Sequence, residues 1–375
     1  MGGVCGMPPF RPVIQILSTH FQRKRGFPFP LNFARIEQQI ASGNSRGILE
    51  GFHLNIMHLV NALPGVAAQG LIWGIMAIGV YITFRILDVA DLTVDGSFTL
   101  GAAVAVVLTL DGHPVLGILA AAVAGALAGL VTAFLQTKMK IQPILAGILT
   151  MTGLYSINLM ILGDNPTVSV FGQDTIFTPL LNAAQSWAPE LTSVMKKAGV
   201  LPIILLVLVV VTIILYWFLK TQLGMSLRAT GDNVEMVNAS SINSDAMKIL
   251  GLAIANSLVA LSGAVLAQDQ NFADAKAGTG MVVIGLASII IGEAIFGRRS
   301  VLNNIVSAIL GAILYRVVIT VVFQLGMPAS YLKLLSAVIV AIALAVPIVG
   351  ANVKKRRKRV GLSGKSVIPM VIGTG

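Results

Sequence analysis

Charged side chains are scarce in this chain, making up 11% of its 375 residues against 56% that are hydrophobic. Globular domains carry roughly a quarter charged residues and about half apolar ones. With a mean hydropathy of +0.87, no soluble fold could hide the apolar surface, and lipid is the solvent. A single cysteine, Cys5, excludes intramolecular disulfides and any multi-cysteine metal site. The four histidines, His20, His53, His58 and His113, show no ligand spacing. His53 and His58 flank the first apolar segment and read as solvated interfacial residues. Aromatic residues amount to only 6%, and none interleaves with the basic run Lys354–Arg359. The net charge of +11 therefore points to a membrane anchor and not to nucleic acid. Catalytic signatures are missing too: there is no Gly-x-Ser-x-Gly, no His-Glu-x-x-His and no acidic metal pair. Gly364-Lys365-Ser366 imitates the end of a phosphate-binding loop, but Arg359 stands where the earlier glycine is required and no strand precedes it. No cofactor, no metal and no enzymatic activity are expected.

What the chain does have is a series of apolar segments close to the ~20 residues that span a bilayer. They fall at about 66–85, 97–110, 115–136, 141–162, 200–219, 248–268, 281–297, 301–324 and 331–350. The expected fold is an all-α polytopic membrane protein with about nine transmembrane helices and a broken helix near residues 88–97. Residues 1–56, rich in proline and basic residues, read as a disordered or spurious extension. A membrane domain follows over 57–351, and a basic tail over 352–375. Gly125-Ala-Leu-Ala-Gly129 is a small-xxx-small motif that marks helix packing. The connection Gly163–Gly199 reads as a structured cap, either a docking surface or a plug over helix ends.

Lysine and arginine near the helix ends set the orientation. With the polar loop Lys220–Lys248 inside, Arg85, Lys138, Lys140, Lys220, Arg228, Lys248, Arg298, Arg299 and the basic tail all fall inside. Lys196, Lys197, Lys276 and Lys333 fall outside. This makes the C-terminus cytoplasmic in a multi-pass protein of a bacterial plasma membrane.

Two regions carry candidate chemistry. Asp88, Asp91 and Asp95 lie within eight residues between the first two apolar segments. Each carboxylate would cost a few kcal/mol or more in hydrocarbon. Irregular backbone at membrane depth belongs in protein or along a water-filled path. Gly96 permits a bend there, and Ser97 can cap the helix that restarts. The stretch is either the lining or gate of a translocation path, which we favour, or an ordinary cytoplasmic turn. Arg316, deep in its apolar segment, needs a partner, which Asp91, Asp95 or Glu293 could supply. The second region is Lys220–Lys248, where polar residues alternate with Met225, Leu227, Val234, Met236 and Val237. Two short helices joined by Gly231 are expected, the second over Asp232–Ser240 with Asp232 or Asn233 as N-cap. By itself this could be a generic cytoplasmic loop.

Thr221-Gln-Leu223-Gly224, Gly231-x-Asn233 and Ala239-x-x-Ile242-Asn243 resemble the coupling-helix segment of permease subunits of ABC importers for branched-chain amino acids and ribose. Asp91-Leu-Thr-Val-Asp95-Gly96-Ser97 resembles the Asp-Leu-Ser-Val-Gly-Ser motif of the ribose-type permeases, with Asp95 as an extra residue. Lys138-Met-Lys-Ile-Gln142-Pro-Ile-Leu and Ala277-Gly278-Thr279-Gly280, with Ile284–Gly292 after it, resemble further segments in the same order. The likeness is greatest to an uncharacterised branch that includes proposed tryptophan importers. It implies a translocation subunit for a small polar solute such as an amino acid. It also implies two ATP-binding-cassette subunits, a second permease copy and an extracytoplasmic substrate-binding protein. Leu223, Gly224, Gly231, Asn233, Ala239 and Ile242 would couple to the ATPase. Asp91, Asp95, Gly96, Ser97 and Arg316 would line or gate the path. The rival expectation is an ion-coupled secondary transporter that uses intramembrane carboxylates.

Overall fold

Apolar runs in lipid must satisfy their backbone internally, and helices do so. The computed structural model describes residues 45–179, 182 and 193–324, with isolated positions between 334 and 341. Helix α1 spans Ser45–Tyr81 and continues as a π-helical turn, Ile82–Ile86. Then come α2 (Thr93–Leu110), α3 (Pro114–Thr137), α4 (Pro143–Ile161), strand β1 (Thr167–Ser169) and α5 (Ser193–Lys220). Two short helices, α6 (Gln222–Asp232) and α7 (Val234–Ala239), lead into α8 (Ser244–Gln270). Strand β2 (Phe272–Asp274), α9 (Met281–Phe296) and α10 (Val301–Gln324) complete the described chain. Among the described residues seven helices are long and apolar enough to cross a membrane, and α9 is a shorter apolar one. The protein is an all-α polytopic membrane protein. Most of the ninth segment at 331–350, residues 1–44, much of 180–192 and the run Lys354–Arg359 lie outside the described residues.

Helix α8 is the centre. Close backbone approach surrounds it on three sides, from α1, α3 and, through Gly101 against Ala260, α2. A Cβ at Gly125 would collide with Asn256 and Ala260, and one at Gly129 with the Leu252 carbonyl. This is the packing that the small-xxx-small motif foretold for α3. On α1, Gly79 sits against Ala255 and Val259, and the Ser262 hydroxyl donates to the Ile72 carbonyl at 2.7 Å. α9 and α10 pack closely through Gly292 against Ser307 and Gly311 against Ser288. By contrast α4 and α5 expose wide apolar faces, with Met160, Ile213, Ile214 and Trp217 outward, as lipid-facing helices do. Gly129→Leu is expected to lower the thermal midpoint of the detergent-solubilised protein by several degrees, since overpacking costs about 1–3 kcal/mol. An unchanged midpoint would contradict the α3–α8 contact.

At the end of the bundle away from α6 and α7, β1 pairs antiparallel with β2, Val168 opposite Ala273. Gln268 joins the same end by donating to Thr109 Oγ1 (3.1 Å) and to the Pro114 carbonyl (2.9 Å). From β2 the chain does not stay at that end. The Gly278 amide donates to Thr99 Oγ1 at 3.0 Å, and α9 begins beside Asp95. Thr109 and Asp95 are 14 residues apart on α2, about 21 Å at 1.5 Å per residue. Residues 275–280 are thus re-entrant. This explains why α9, at the place expected for the seventh apolar segment, has only 16 residues.

Candidate functional site: a broken helix and its polar network

The chain breaks after the π-helical turn. Asp88 takes the bend, with a left-handed φ of 53°, and is exposed. Gly96 does not bend the chain, because α2 already starts at Thr93. Gly96 instead lets α4 approach, since a Cβ there would lie about 3 Å from Leu154. Nor does Ser97 cap the helix. The N-terminal capping role falls to Asp91, whose Oδ1 accepts from the Thr93 amide at 2.9 Å. This local carboxylate replaces a missing helical partner and allows α2 to begin four residues before the expected start.

Asp91 is 5% exposed and belongs to a chain of hydrogen bonds. Asn256 Nδ2 donates to Asp91 Oδ2 at 2.7 Å, and Ser97 Oγ donates to Asn256 Oδ1 at 2.7 Å. Thr93 and Thr132 share a hydroxyl contact of 2.7 Å, which brings in α3. Asn256 lies 12 residues into α8 from Ser244, about 18 Å from that helix end. The cluster therefore sits inside the bundle at membrane depth, where satisfied polar networks rigidify and half-satisfied ones are costly.

Asp95 performs a different task. Its two oxygens accept the amides of Gly280 (2.8 Å) and Val282 (2.9 Å). The first amides of a helix lack intrahelical partners, and a carboxylate at that positive end is favourable. Asp95 thus terminates the re-entrant segment and starts α9. It also lines a cavity of about 210 Å³ with Thr99, Tyr155, Asn158 and Thr279. Asn158 Nδ2 donates to the Gly96 carbonyl at 3.2 Å.

The structure pairs neither Asp91, Asp95 nor Glu293 with Arg316, which corrects that expectation. Arg316 stacks on Trp73 of α1, guanidinium carbon 4.9 Å from the ring centre. Glu293 is taken by two other arginines: Arg85 Nε donates to its Oε1 at 2.8 Å and Arg298 Nη2 to its Oε2 at 2.6 Å. This clamp ties the end of α1 to the end of α9.

The segment after α5 forms two helices as expected, but the hinge differs. Thr221 caps α6 by accepting from the Gly224 amide, and Asn233 caps α7 by accepting from Met236 at 3.0 Å. Asn233 is the junction, extended at φ −158° and ψ 104°. Gly231 lies inside α6, where a Cβ would strike the Ile86 carbonyl. Gly224 packs with the same closeness on Phe218 and Leu219. Ile242 is half-buried, and its amide donates to the Val237 carbonyl at 3.2 Å. Leu223, Met225 and Met236 point outward, each more than half exposed, and Ala239 is exposed at the end of α7. The result is a knob whose base rests on the broken end of α1.

Sequence reasoning missed Asn256, Asn158, Thr132 and the Arg85–Glu293–Arg298 clamp. Asn256 and Asn158 were visible as amides inside apolar segments, which lipid tolerates only when paired.

A multi-pass bundle with a polar network at membrane depth and a short-helix knob on one end has the makeup of a transport subunit. The chain belongs to the family described as branched-chain amino acid transport system, permease component, which matches residues 63–344. It is an ABC importer permease of that family and not an enzyme. It is 40% identical over 299 residues to a tyrosine transport system permease protein of Clostridioides difficile, covering 79% of this chain and 95% of that one. An uncharacterised protein of Rickettsia prowazekii is 32% identical over 290 residues, 76% of this chain and 98% of its own. The ribose import permease protein of Escherichia coli K12 is 23% identical over 289 residues, 76% and 85% of the two chains. No solved structure matches the chain.

Proposed function

We propose that this protein is the translocation subunit of an ATP-driven importer for an amino acid, working in a bacterial cytoplasmic membrane. The carrying observation is the 40% identity that runs through 95% of a permease named for tyrosine transport. Two copies of residues 57–351 would enclose a central path, with two ATP-binding-cassette subunits on the knob and a substrate-binding protein on the opposite face. The distribution of Lys and Arg supports the knob, and the tail over 352–375, as cytoplasmic.

The knob suits its task physically. Leu223, Met225 and Met236 offer an apolar surface for an ATPase cleft, and the Asn233 junction fixes the angle between α6 and α7. Gly224 and Gly231 seat α6 on α5 and on Ile86, so a push on the knob reaches the end of α1. From there the break at 87–92 leads to Asp91, Asn256 and Ser97. Nucleotide binding would shift the population between two arrangements of that network. Asp91, Asp95, Gly96 and Ser97 are then path or gate residues, and Arg316 is a stacked cation nearer the outer face.

Uptake of labelled tyrosine by cells expressing the complete transporter tests the solute. Competition by unlabelled aromatic amino acids and indifference to ribose is the expected outcome. Competition by ribose alone would transfer the protein to the sugar permeases.

A further inference from the structure

A cavity of about 290 Å³ opens at the knob end, between α1, α6 and the turn that leads into α10. Four arginines line it: Arg85 from the π-helical turn, Arg228 from α6, and Arg298 and Arg299 from the turn. Two carboxylates oppose them. Glu293 lies beside the cavity, bound to Arg85 and Arg298, and Asp232 lines its wall. Four positive charges less two negative ones leave two uncompensated. Ser300 and Val301, at the start of the 24-residue α10, complete the wall, and the positive end of that helix adds to the same field.

The depth of the cavity narrows the choice of ligand. Two spans, Ala62–Ile86 and Val301–Phe323, end here at Ile86 and Val301, and both residues line the cavity. Tyr81 and Asn304, one turn inward on each span, meet through a 3.3 Å hydrogen bond. The arginines therefore stand where a membrane's hydrocarbon gives way to its phosphate layer. Planar guanidinium forks match phosphate oxygens in pairs, and anionic lipids concentrate at a cytoplasmic surface.

We propose that this cavity binds a phosphate-bearing anion, the headgroup of an anionic phospholipid, and that the bound phosphate braces α6 against the end of α1. The site does not depend on the transported solute; only its assignment to the inner leaflet rests on the orientation proposed above.

Thermal denaturation of the full chain in uncharged detergent tests the site, with titration of short-chain phosphatidylglycerol, short-chain phosphatidylcholine and inorganic phosphate. Phosphatidylglycerol should raise the midpoint saturably while phosphatidylcholine does not. Arg228 and Arg299 are exposed and outside the Glu293 clamp, so Arg228→Gln with Arg299→Gln should leave the lipid-free midpoint unchanged. That double variant should weaken the phosphatidylglycerol response about ten-fold or more, as expected for lost charge-assisted bonds. A saturable response to inorganic phosphate that the double variant also loses, with phosphatidylglycerol adding nothing, would keep the anion site and overturn its lipid occupant. Equal responses to the two lipids, or an undiminished response in the double variant, would overturn the site. So would a variant that ignores lipid yet no longer co-purifies with the ATPase subunits, which would make the arginines a protein docking surface.

Discussion

Gly231→Leu is expected to cut ATP-driven uptake severely in a protein that still inserts into the membrane. Gly231 is in the last turn of α6, and a side chain there would meet the Ile86 carbonyl and then Leu87. Neither neighbour can yield easily, because the contact is with backbone. Ile86 closes the π-helical turn, and Leu87 is buried. Overpacking of this kind costs about 1–3 kcal/mol, which the protein can relieve by lifting α6 away from α1. The bundle around α8 does not depend on that contact, so folding survives while the mechanical link fails. Uptake should fall by about ten-fold or more, since 1.4 kcal/mol corresponds to a factor of ten. Gly231→Ala should be milder and Leu223→Ala, on the exposed face, should weaken ATPase binding without changing the fold. Proteoliposome uptake and co-purification of the ATPase separate these effects. Full uptake by Gly231→Leu would show that α6 moves independently of α1.

Asp91→Leu should have the largest effect on stability. The substitution leaves the Thr93 amide and one N–H of Asn256 without their acceptor inside the bundle, the other N–H keeping its bond to the Leu252 carbonyl. A buried donor stranded in this way costs about 1–3 kcal/mol, and interhelical bonds in lipid tend to the lower part of that range. The solubilised protein should lose several degrees of thermal midpoint. Removing both partners is the sharper experiment. Asp91→Leu with Asn256→Leu replaces an unsatisfied pair by an apolar one, which can be nearly neutral. The double variant should therefore regain the share of the loss owed to the Asn256 amide, while the Thr93 amide and the Ser97 hydroxyl stay without their acceptors. If the network is the gate, uptake will stay low even so. A double variant whose loss equals the sum of the losses of Asp91→Leu and Asn256→Leu would mean that the two side chains do not interact.

Long apolar segments were legible because spanning a bilayer demands length and composition at once, and the expected starts of α3, α4 and α10 fell within a few residues of Pro114, Pro143 and Val301. The start of α2 was not. Hydropathy locates it after Asp95, whereas one local hydrogen bond from Thr93 to Asp91 starts it within the charged stretch. The re-entrant path of 275–280 was hidden for a similar reason. Its backbone is satisfied by Thr99 and Asp95, which precede it by some 180 residues, and no local pattern announces such a debt to a distant helix. Glu293 lies close in sequence to Arg298, yet its second partner, Arg85, belongs to another helix. In the knob, composition foretold two helices and a cap at Asp232 or Asn233, of which the structure uses Asn233. The role of Gly231 as a close contact instead of a hinge depends on Ile86, which sequence spacing does not bring near.

ATP dependence is the most direct test of the whole reading. The permease, reconstituted into proteoliposomes with its ATPase and binding-protein partners, should accumulate its labelled solute only with enclosed ATP, and ionophores that collapse proton and sodium gradients should leave uptake unchanged. Uptake that needs no ATPase and vanishes with the ionophores would contradict it and identify an ion-coupled transporter.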